Sequence, residues 1–301
     1  MIGNIDEPTP MVNVGPRFNP SPDFSLYVKL ERVNPLGSIK DRVALSMIQH
    51  LDIKEGQTLV EPSSGNTGLA LAALCNSLGI PVEIAVPERV PEEKKMLLRL
   101  LGVQELWEAD DNLCPVYPNE GARGLVNGLV TSPAYAGKYV SPNQYENEWN
   151  VMAHYMGTGP EIWKQTEGKI NYFFAGFGTG GTLTGVGRYL KEQNPDIKII
   201  AIEPTRPDHN LPGMKRITGL PAQYVPKILD KSLVDEVIPV EDDAAYHTGI
   251  ELARKTGILV GPTTGAILYA AREIAKINSG LGVVISPDDA FKYLGNYAKY
   301  L

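Results

Sequence analysis

The 301-residue sequence predicts an α/β protein with mostly parallel sheets. Short runs rich in β-branched and aromatic residues alternate with runs of helical periodicity along most of the chain. Parallel strands need such helical crossovers, and a chain of this length with 43% hydrophobic residues can bury about two domains. Ligands are then expected where loops leave the carboxyl ends of the strands.

The individual elements follow from apolar runs bounded by turn-forming residues. Strands are predicted at residues 25–30, 58–60, 82–86, 138–140, 171–174, 197–202, 257–260 and 282–285. Helices are predicted at residues 43–48, 69–78 and 183–192, and an alanine-rich helix is predicted after residue 266. Segments 110–137 and 204–213, rich in Pro, Gly and polar residues, are predicted to be surface loops.

The first candidate functional residue is Lys40, within the run NPLGSIKDR at residues 34–42. A lysine just before a helix is usually a solvated side chain or an ion-pair partner, here for Asp41. A catalytic interpretation therefore depends on the loops that accompany it.

The loop EPSSGNTG at residues 61–68 joins a predicted strand to an apolar helix. Its hydroxyls, amide and glycines at a helix N-terminus offer N–H donors and positive dipole character, which suit a carboxylate. Ser63 or Thr67 alone is equally well explained as an ordinary helix cap.

The loop AGFGTGGT at residues 175–182 also lies between a predicted strand and helix. With an acidic residue about 20 positions on, its glycines satisfy the dinucleotide-binding fingerprint at Gly176, Gly178, Gly181 and Glu203. A nicotinamide-dependent dehydrogenase is one interpretation. Thr179 and Thr182 add hydroxyls that favour a compact cup for a phosphate monoester. The residues alone leave both open.

The loop VGPTTGA at residues 260–266 precedes the alanine-rich helix. Thr263 or Thr264 can cap that helix. A hydroxyl at this place can also meet a heteroaromatic nitrogen.

These four loops, in this order, resemble the cysteine synthase family (O-acetylserine or O-phosphoserine sulfhydrylases) among fold-type II pyridoxal-phosphate enzymes. The likeness covers residues 8–294. It implies a tryptophan synthase β-like fold with two open, twisted, mostly parallel sheet domains and the active site between them. Residues 42–145 would form the N-terminal domain with a mobile carboxylate-loop subdomain. Residues 1–41 with 146–301 would form the C-terminal domain.

The resemblance assigns pyridoxal 5'-phosphate as the cofactor and gives each motif residue a role. Lys40 would be the Schiff-base lysine, Asn66 would bind the ring hydroxyl, and Thr263 would face the pyridine nitrogen. The phosphate would be held by Gly178, Thr179, Gly180, Gly181 and Thr182. The substrate carboxylate would be held by Ser63, Ser64, Gly65, Thr67 and Gln144.

The implied reaction is β-replacement on an O-activated L-serine through an α-aminoacrylate, with sulfide or a thiol as nucleophile, to make L-cysteine. The freed Lys40 amine would remove the α-proton. A cystathionine β-synthase-like condensation and a cysteine-consuming lyase that releases hydrogen sulfide use the same residues and stay open. O-acetylserine is the favoured donor. O-phosphoserine is second, because Lys215 or Arg216 at the expected entrance can pair with phosphate unless both are solvated.

Two segments depart from the family pattern. Residues 145–150 read YENEWN where F-x-N-P-x-N is common, and residues 287–294 read PDDAFKYL in place of P-D-S-G-E-R-Y-L. Smaller changes place Ser for Thr at Ser63 and Thr for Ser in the TTG turn. The departures bear on the nucleophile and leaving group more than on the cofactor.

Composition limits the partners. A net charge of −7 argues against nucleic acid and acidic membranes. Cys75 and Cys114 are too few for a disulfide framework and are expected to be reduced in a cytoplasmic protein, since no export signal is recognisable. The four histidines have no metal-ligand spacing, so no metal is expected. The expected partners are an amino-acid substrate, sulfide or a thiol, and a second subunit in a homodimer.

Overall fold

A computed structural model describes residues 7–63, 65–88, 90–110 and 120–301. It contains one six-stranded and one four-stranded sheet. The strands are β1 (Met11–Asn13), β2 (Phe24–Leu30), β3 (Thr58–Pro62), β4 (Val82–Pro87), β5 (Glu105–Ala109), β6 (Tyr139–Val140), β7 (Tyr172–Gly176), β8 (Lys198–Pro204), β9 (Glu236–Val240) and β10 (Gly280–Ser286).

The larger sheet has the order β1-β2-β10-β7-β8-β9, and the smaller has the order β5-β4-β3-β6. β1 pairs antiparallel with β2, and every other described pair is parallel. The fold is therefore the predicted α/β class with two mostly parallel sheets. β1 and β2 lie in the same sheet as β7 to β10. The domain division at residues 42 and 145 stays a prediction.

Helices cover both faces of each sheet. They are α1 (Lys40–Gln49), α2 (Asn66–Ser77), α3 (Glu92–Leu100), α4 (Gly121–Thr131), α5 (Glu148–Ala153), α6 (Gly159–Gln165), α7 (Gly181–Gln193), α8 (Asp242–Thr256), α9 (Pro262–Ala275) and α10 (Leu294–Tyr297). A π-helical turn, His154–Thr158, joins α5 to α6. None of the helices in the described ranges is long and apolar enough to cross a membrane.

Side-chain alternation along the parallel strands builds the core. Phe174 and Ile200 face the cluster that includes α8 and α9, whereas Phe173 and Ile199 face the cluster that includes α6 and α7. Because both faces are covered, these strands read as nearly continuous apolar runs. This is why the sequence identified them.

Two sequence predictions are wrong. Residues 257–260 form no strand, because Arg32 donates to the carbonyl of Leu259 (3.3 Å) and Tyr297 to that of Val260 (2.8 Å), where a neighbouring strand would otherwise bond. Within the predicted loop 110–137, residues 121–131 form α4, which buries Val126 and Leu129. Residues 111–119, with Cys114, lie outside the described residues.

Candidate active site

A cavity of about 250 Å³ lies between the sheets, where β3, β7 and β10 end. All but two of the predicted site residues line it: Lys40, Ser63, Gly65, Asn66, Thr67, Gln144, Gly178, Thr179, Gly180, Thr182 and Thr263. Gly181 begins the helix behind the wall, and Ser64 lies outside the described residues. The fold thus brings the four separate loops to one site, at the strand ends expected of parallel sheets.

Lys40 is the first residue of α1, and its helix is firmly held. The Ile39 N–H donates to the Pro287 carbonyl (2.9 Å) after β10. Two residues on, Arg42 pairs with Glu31 (2.7 Å) and Glu161 (2.6 Å) in a mostly buried network. The helix therefore presents Lys40 from a fixed base.

The environment of Lys40 makes its amine easier to deprotonate. Desolvation by burial lowers its pKa from 10.5 to about 8, and the opposing attraction of Glu61 is smaller. Among the described residues, none accepts a hydrogen bond from Lys40 Nζ. An amine of this kind can act as a nucleophile or a base near neutral pH.

The glycine loop after β7 forms a cup at the N-terminus of α7. Gly180 has φ 92°, and a Cβ there would lie 2.8 Å from Leu229 Cβ. A Cβ on Gly181 would lie 2.1 Å from Asn150 Oδ1, so these positions require glycine. Backbone N–H groups at the start of the 13-residue α7 suit an anion.

Two threonines complete the cup. Thr179 Oγ1 accepts from Asn150 Nδ2 (3.0 Å), which leaves its own hydrogen for a ligand. Thr182 Oγ1 lies 3.3 Å from His154 Nε2. His154 is fully buried, and desolvation holds its pKa well below the usual value, so the ring is neutral. No motif in the sequence pointed to His154 or Asn150 as part of the site.

In the loop at residues 61–68, Ser63 partly caps α2, as the helix-cap interpretation predicted. Ser63 Oγ accepts from Gly68 N (2.8 Å) in the first turn of α2. Thr67 Oγ1 donates to Gln144 Oε1 (2.8 Å), so two predicted carboxylate ligands lie in contact. Thr67 and Gln144 both line the cavity.

Glu61, at the end of β3, was missed by the sequence. Its buried carboxylate accepts from Ser141 Oγ (3.0 Å), Asn143 N (3.0 Å) and Gln144 N (3.1 Å). Burial raises its pKa to about 7 against these hydrogen bonds. Asn143 is held at φ 49°, a left-handed conformation that is uncommon outside glycine. Glu61 therefore fixes the turn that carries Gln144.

Asn66 and Thr263, which the resemblance places beside the cofactor ring, also make hydrogen bonds within the protein. Asn66 donates to Asp288 Oδ2 (2.7 Å) and accepts from Lys292 Nζ (2.8 Å). Thr263 Oγ1 donates to the Pro212 carbonyl (3.1 Å). Pro212 belongs to the loop 204–213, which is largely exposed as predicted, while its end at Pro212 and Gly213 lines the cavity.

The two entrance cations differ. Arg216 donates to the Thr205 carbonyl and does not line the cavity, which removes it as a phosphate-binding residue. Lys215 does line the cavity, with Nζ 5.3 Å from the centre of the Tyr145 ring. Arg123 lies 4.3 Å from the same ring.

Glu203 argues against the dehydrogenase interpretation. The carboxylate is buried and accepts from Ile217 N (2.8 Å) and Thr218 N (2.9 Å). An acid that binds a nucleotide ribose must be exposed to the ligand. Here it fixes a backbone turn instead.

The donor set fits pyridoxal phosphate. The cup offers hydroxyl and N–H donors for a phosphate monoester, and a lysine with a lowered pKa shares the same cavity. Asn66 and Thr263 add polar groups suited to the edges of a pyridine ring. Fold and site together define a pyridoxal-phosphate-dependent enzyme.

Sequence comparison agrees with this class. Residues 4–288 match the family described as pyridoxal-phosphate dependent enzyme. The cysteine synthase of Aquifex aeolicus is 42% identical, over 98% of this chain and 89% of that protein. Cysteine synthase B of Salmonella typhimurium is 38% identical, over 97% and 92%. The chain belongs to the cysteine synthase family of pyridoxal-phosphate-dependent enzymes.

Solved structures give the same result. A cysteine synthase from Entamoeba histolytica superposes with a TM-score of 0.86 at 31% identity, over 98% of this chain and 90% of that one. A hydrogen sulfide-producing enzyme from Fusobacterium nucleatum superposes with a TM-score of 0.81 at 34% identity, over 97% of both chains. The fold is fold-type II.

Proposed function

We propose that this enzyme makes L-cysteine from an O-activated L-serine and sulfide. The observation that carries the proposal is one cavity in which Lys40, with its lowered pKa, faces both an anion cup and a polar carboxylate loop. The 42% identity to a cysteine synthase supports the same reaction. We also propose that the enzyme acts in the cytoplasm as a homodimer.

Different parts of the cavity bind different parts of the cofactor and the substrate. Pyridoxal phosphate, when bound, supplies an electron sink that stabilises negative charge at the substrate α-carbon. The cup at residues 178–182 holds the phosphate, and Asn66 and Thr263 orient the ring. Ser63, Gly65, Thr67 and Gln144 bind the substrate carboxylate.

Lys40 moves the proton. Because burial lowers its pKa to about 8, a useful fraction of the amine is neutral near physiological pH and can accept the α-proton of the substrate. The leaving group departs from the β-carbon, sulfide adds to that β-carbon, and Lys40 returns the proton to the α-carbon.

The leaving group of the substrate is either acetate or phosphate. O-acetylserine stays the favoured donor. O-phosphoserine is the second candidate, since Lys215 lines the cavity and a lysine ammonium attracts a phosphate dianion. The likeness to a hydrogen sulfide-producing enzyme keeps the cysteine-consuming direction as an alternative.

Product formation by the cofactor-loaded protein tests the proposal. We expect the highest kcat/KM for O-acetylserine with sulfide, compared with O-phosphoserine with sulfide, L-serine with homocysteine, and L-cysteine alone. A rate confined to either of the last two would replace the proposed reaction.

Lys215→Ala then tests the leaving group, with Arg216→Ala as the adjacent control. A loss beyond about tenfold in kcat/KM for O-phosphoserine alone would identify it as the natural donor. If Lys215→Ala and Arg216→Ala have the same kcat/KM as each other for both donors, O-acetylserine remains the proposed donor.

A further inference from the structure

The C-terminal segment 287–294, which departs from the family pattern, lies against the ring side of the cavity. Lys292 extends from it and donates to the carbonyls of Leu36 (3.0 Å) and Gly37 (3.1 Å) and to Asn66 Oδ1 (2.8 Å). A lysine ammonium has three N–H groups, and all three are used. Lys292 therefore joins three parts of the chain that are distant in sequence.

Asp288 binds the opposite end of the same amide. Its Oδ2 accepts from Asn66 Nδ2 (2.7 Å) and from Tyr293 Oη (2.6 Å). The side chain is buried, and Oδ1, which has no hydrogen-bond partner in the described part of the chain, faces Gly261. A Cβ at Gly261 would lie 2.1 Å from that oxygen, so the glycine makes room for Asp288.

These contacts permit one orientation of the Asn66 amide. A half-turn of the amide would direct its N–H groups at the Lys292 ammonium and its oxygen at the Asp288 carboxylate. Both contacts would then be repulsive, and hydrogen bonds to charged groups are among the strongest in proteins. With Oδ1 occupied, Asn66 meets a ligand through its nitrogen, as a donor.

We propose that Lys292 and Asp288 are positioning residues that hold Asn66 as a donor toward the ring oxygen of the cofactor. The inference rests on the proposed function only for the identity of that ligand. Neither residue is asked to touch the reacting atoms.

Lys292 has a second effect through the loop before Lys40. Gly37 has φ 74°. The carbonyls of Leu36 and Gly37 accept from Lys292, whereas the N–H of Leu36 donates to Asp41 Oδ2 (2.5 Å). The loop is thus bound by a cation on its carbonyl side and by a carboxylate on its N–H side. Lys292 couples the placement of Asn66 to that of the segment carrying Lys40.

The test is the affinity of the apoprotein for pyridoxal phosphate, measured by fluorescence titration together with the absorption maximum of the bound cofactor. We expect Lys292→Met to weaken binding by about tenfold or more and to shift the absorption maximum, because the ring oxygen loses an oriented donor. Lys292→Arg should restore both, and Lys276→Met, on an exposed lysine, should match wild type.

A double-mutant cycle separates positioning from general stability. If Lys292 acts through Asn66, Lys292→Met should change affinity far less in an Asn66→Ala background than alone. Equal effects in the two backgrounds, or a Lys292→Met protein that binds like wild type, would overturn the inference. Asp288→Asn, which keeps its size, supplies the same comparison if Lys292→Met does not fold. A wild-type protein that binds no pyridoxal phosphate would instead contradict the proposed function.

Discussion

At the residue scale, Lys40 acquires its chemistry from burial. The sequence could select it from the other lysines only through the loops that follow it, because a lysine before a helix is ordinary. The structure adds the cause: desolvation lowers its pKa from 10.5 to about 8, and the charge of Glu61 opposes this only in part. Solvent exclusion cannot be seen in a local motif.

This pKa gives a prediction for the apoprotein. Because the folded pKa lies below the ordinary value, Lys40 becomes neutral as the pH rises through about 8 rather than near 10.5. Carbamylation by cyanate, followed by peptide mass mapping, should therefore rise at Lys40 across that range. Free Nα-acetyl-lysine in the same solution reports the pH dependence of the reagent, and a Lys40 curve that coincided with it would contradict the lowered pKa.

At the element scale, the turn after β6 depends on a carboxylate from β3. Glu61 accepts three hydrogen bonds from residues 141–144, and no motif links these positions because they lie about 80 residues apart. Glu61 meets this turn only when β3 and β6 pair in the folded sheet, so the local sequence does not reveal the contact. The same is true of Asn150 and His154 behind the phosphate cup.

Glu61→Gln should weaken amino-acid binding without weakening cofactor binding. The new amide nitrogen would face N–H and O–H donors, so the turn carrying Gln144 loses an acceptor. We expect about a tenfold higher substrate KM and an unchanged affinity for pyridoxal phosphate, with Glu105→Gln as the exposed control.

The pH dependence of this contact has a definite sign. Glu61 has a folded pKa of about 7, above its usual 4.5, so it takes up a proton as the pH falls through 7 and one acceptor oxygen is lost. Wild-type substrate affinity should therefore decline below about pH 7 more steeply than that of Glu61→Gln. Parallel pH profiles of the two proteins would exclude Glu61 as the positioning group.

At the scale of the whole molecule, the sequence predicted the interior strands of both sheets and the short edge strand β6, and it missed the other three edge strands. β1, β5 and β9 are edge strands. They are half-exposed, so their sequences mix polar and apolar residues and β9 contains Pro239. The buried strands β2, β7, β8 and β10 carry the continuous apolar runs that pattern analysis detects.

The candidate site was predictable to the extent that its residues sit in glycine-rich or hydroxyl-rich loops. Ligand-facing loops carry local signatures of this kind, whereas the residues that support them do not. Lys292 shows the difference, since it contacts residues more than 220 positions away. Only the packing of the C-terminal segment against α1 and α2 reveals its partners.

In this fold, Lys40 is expected to carry pyridoxal phosphate. Borohydride reduction of the cofactor-loaded protein, followed by peptide mass mapping, tests it most directly. We expect the pyridoxyl mass on the peptide containing Lys40, and its loss in a folded Lys40→Ala protein. Lys94 and Lys215 line the same cavity, so a pyridoxyl group found on either of them instead would contradict the account.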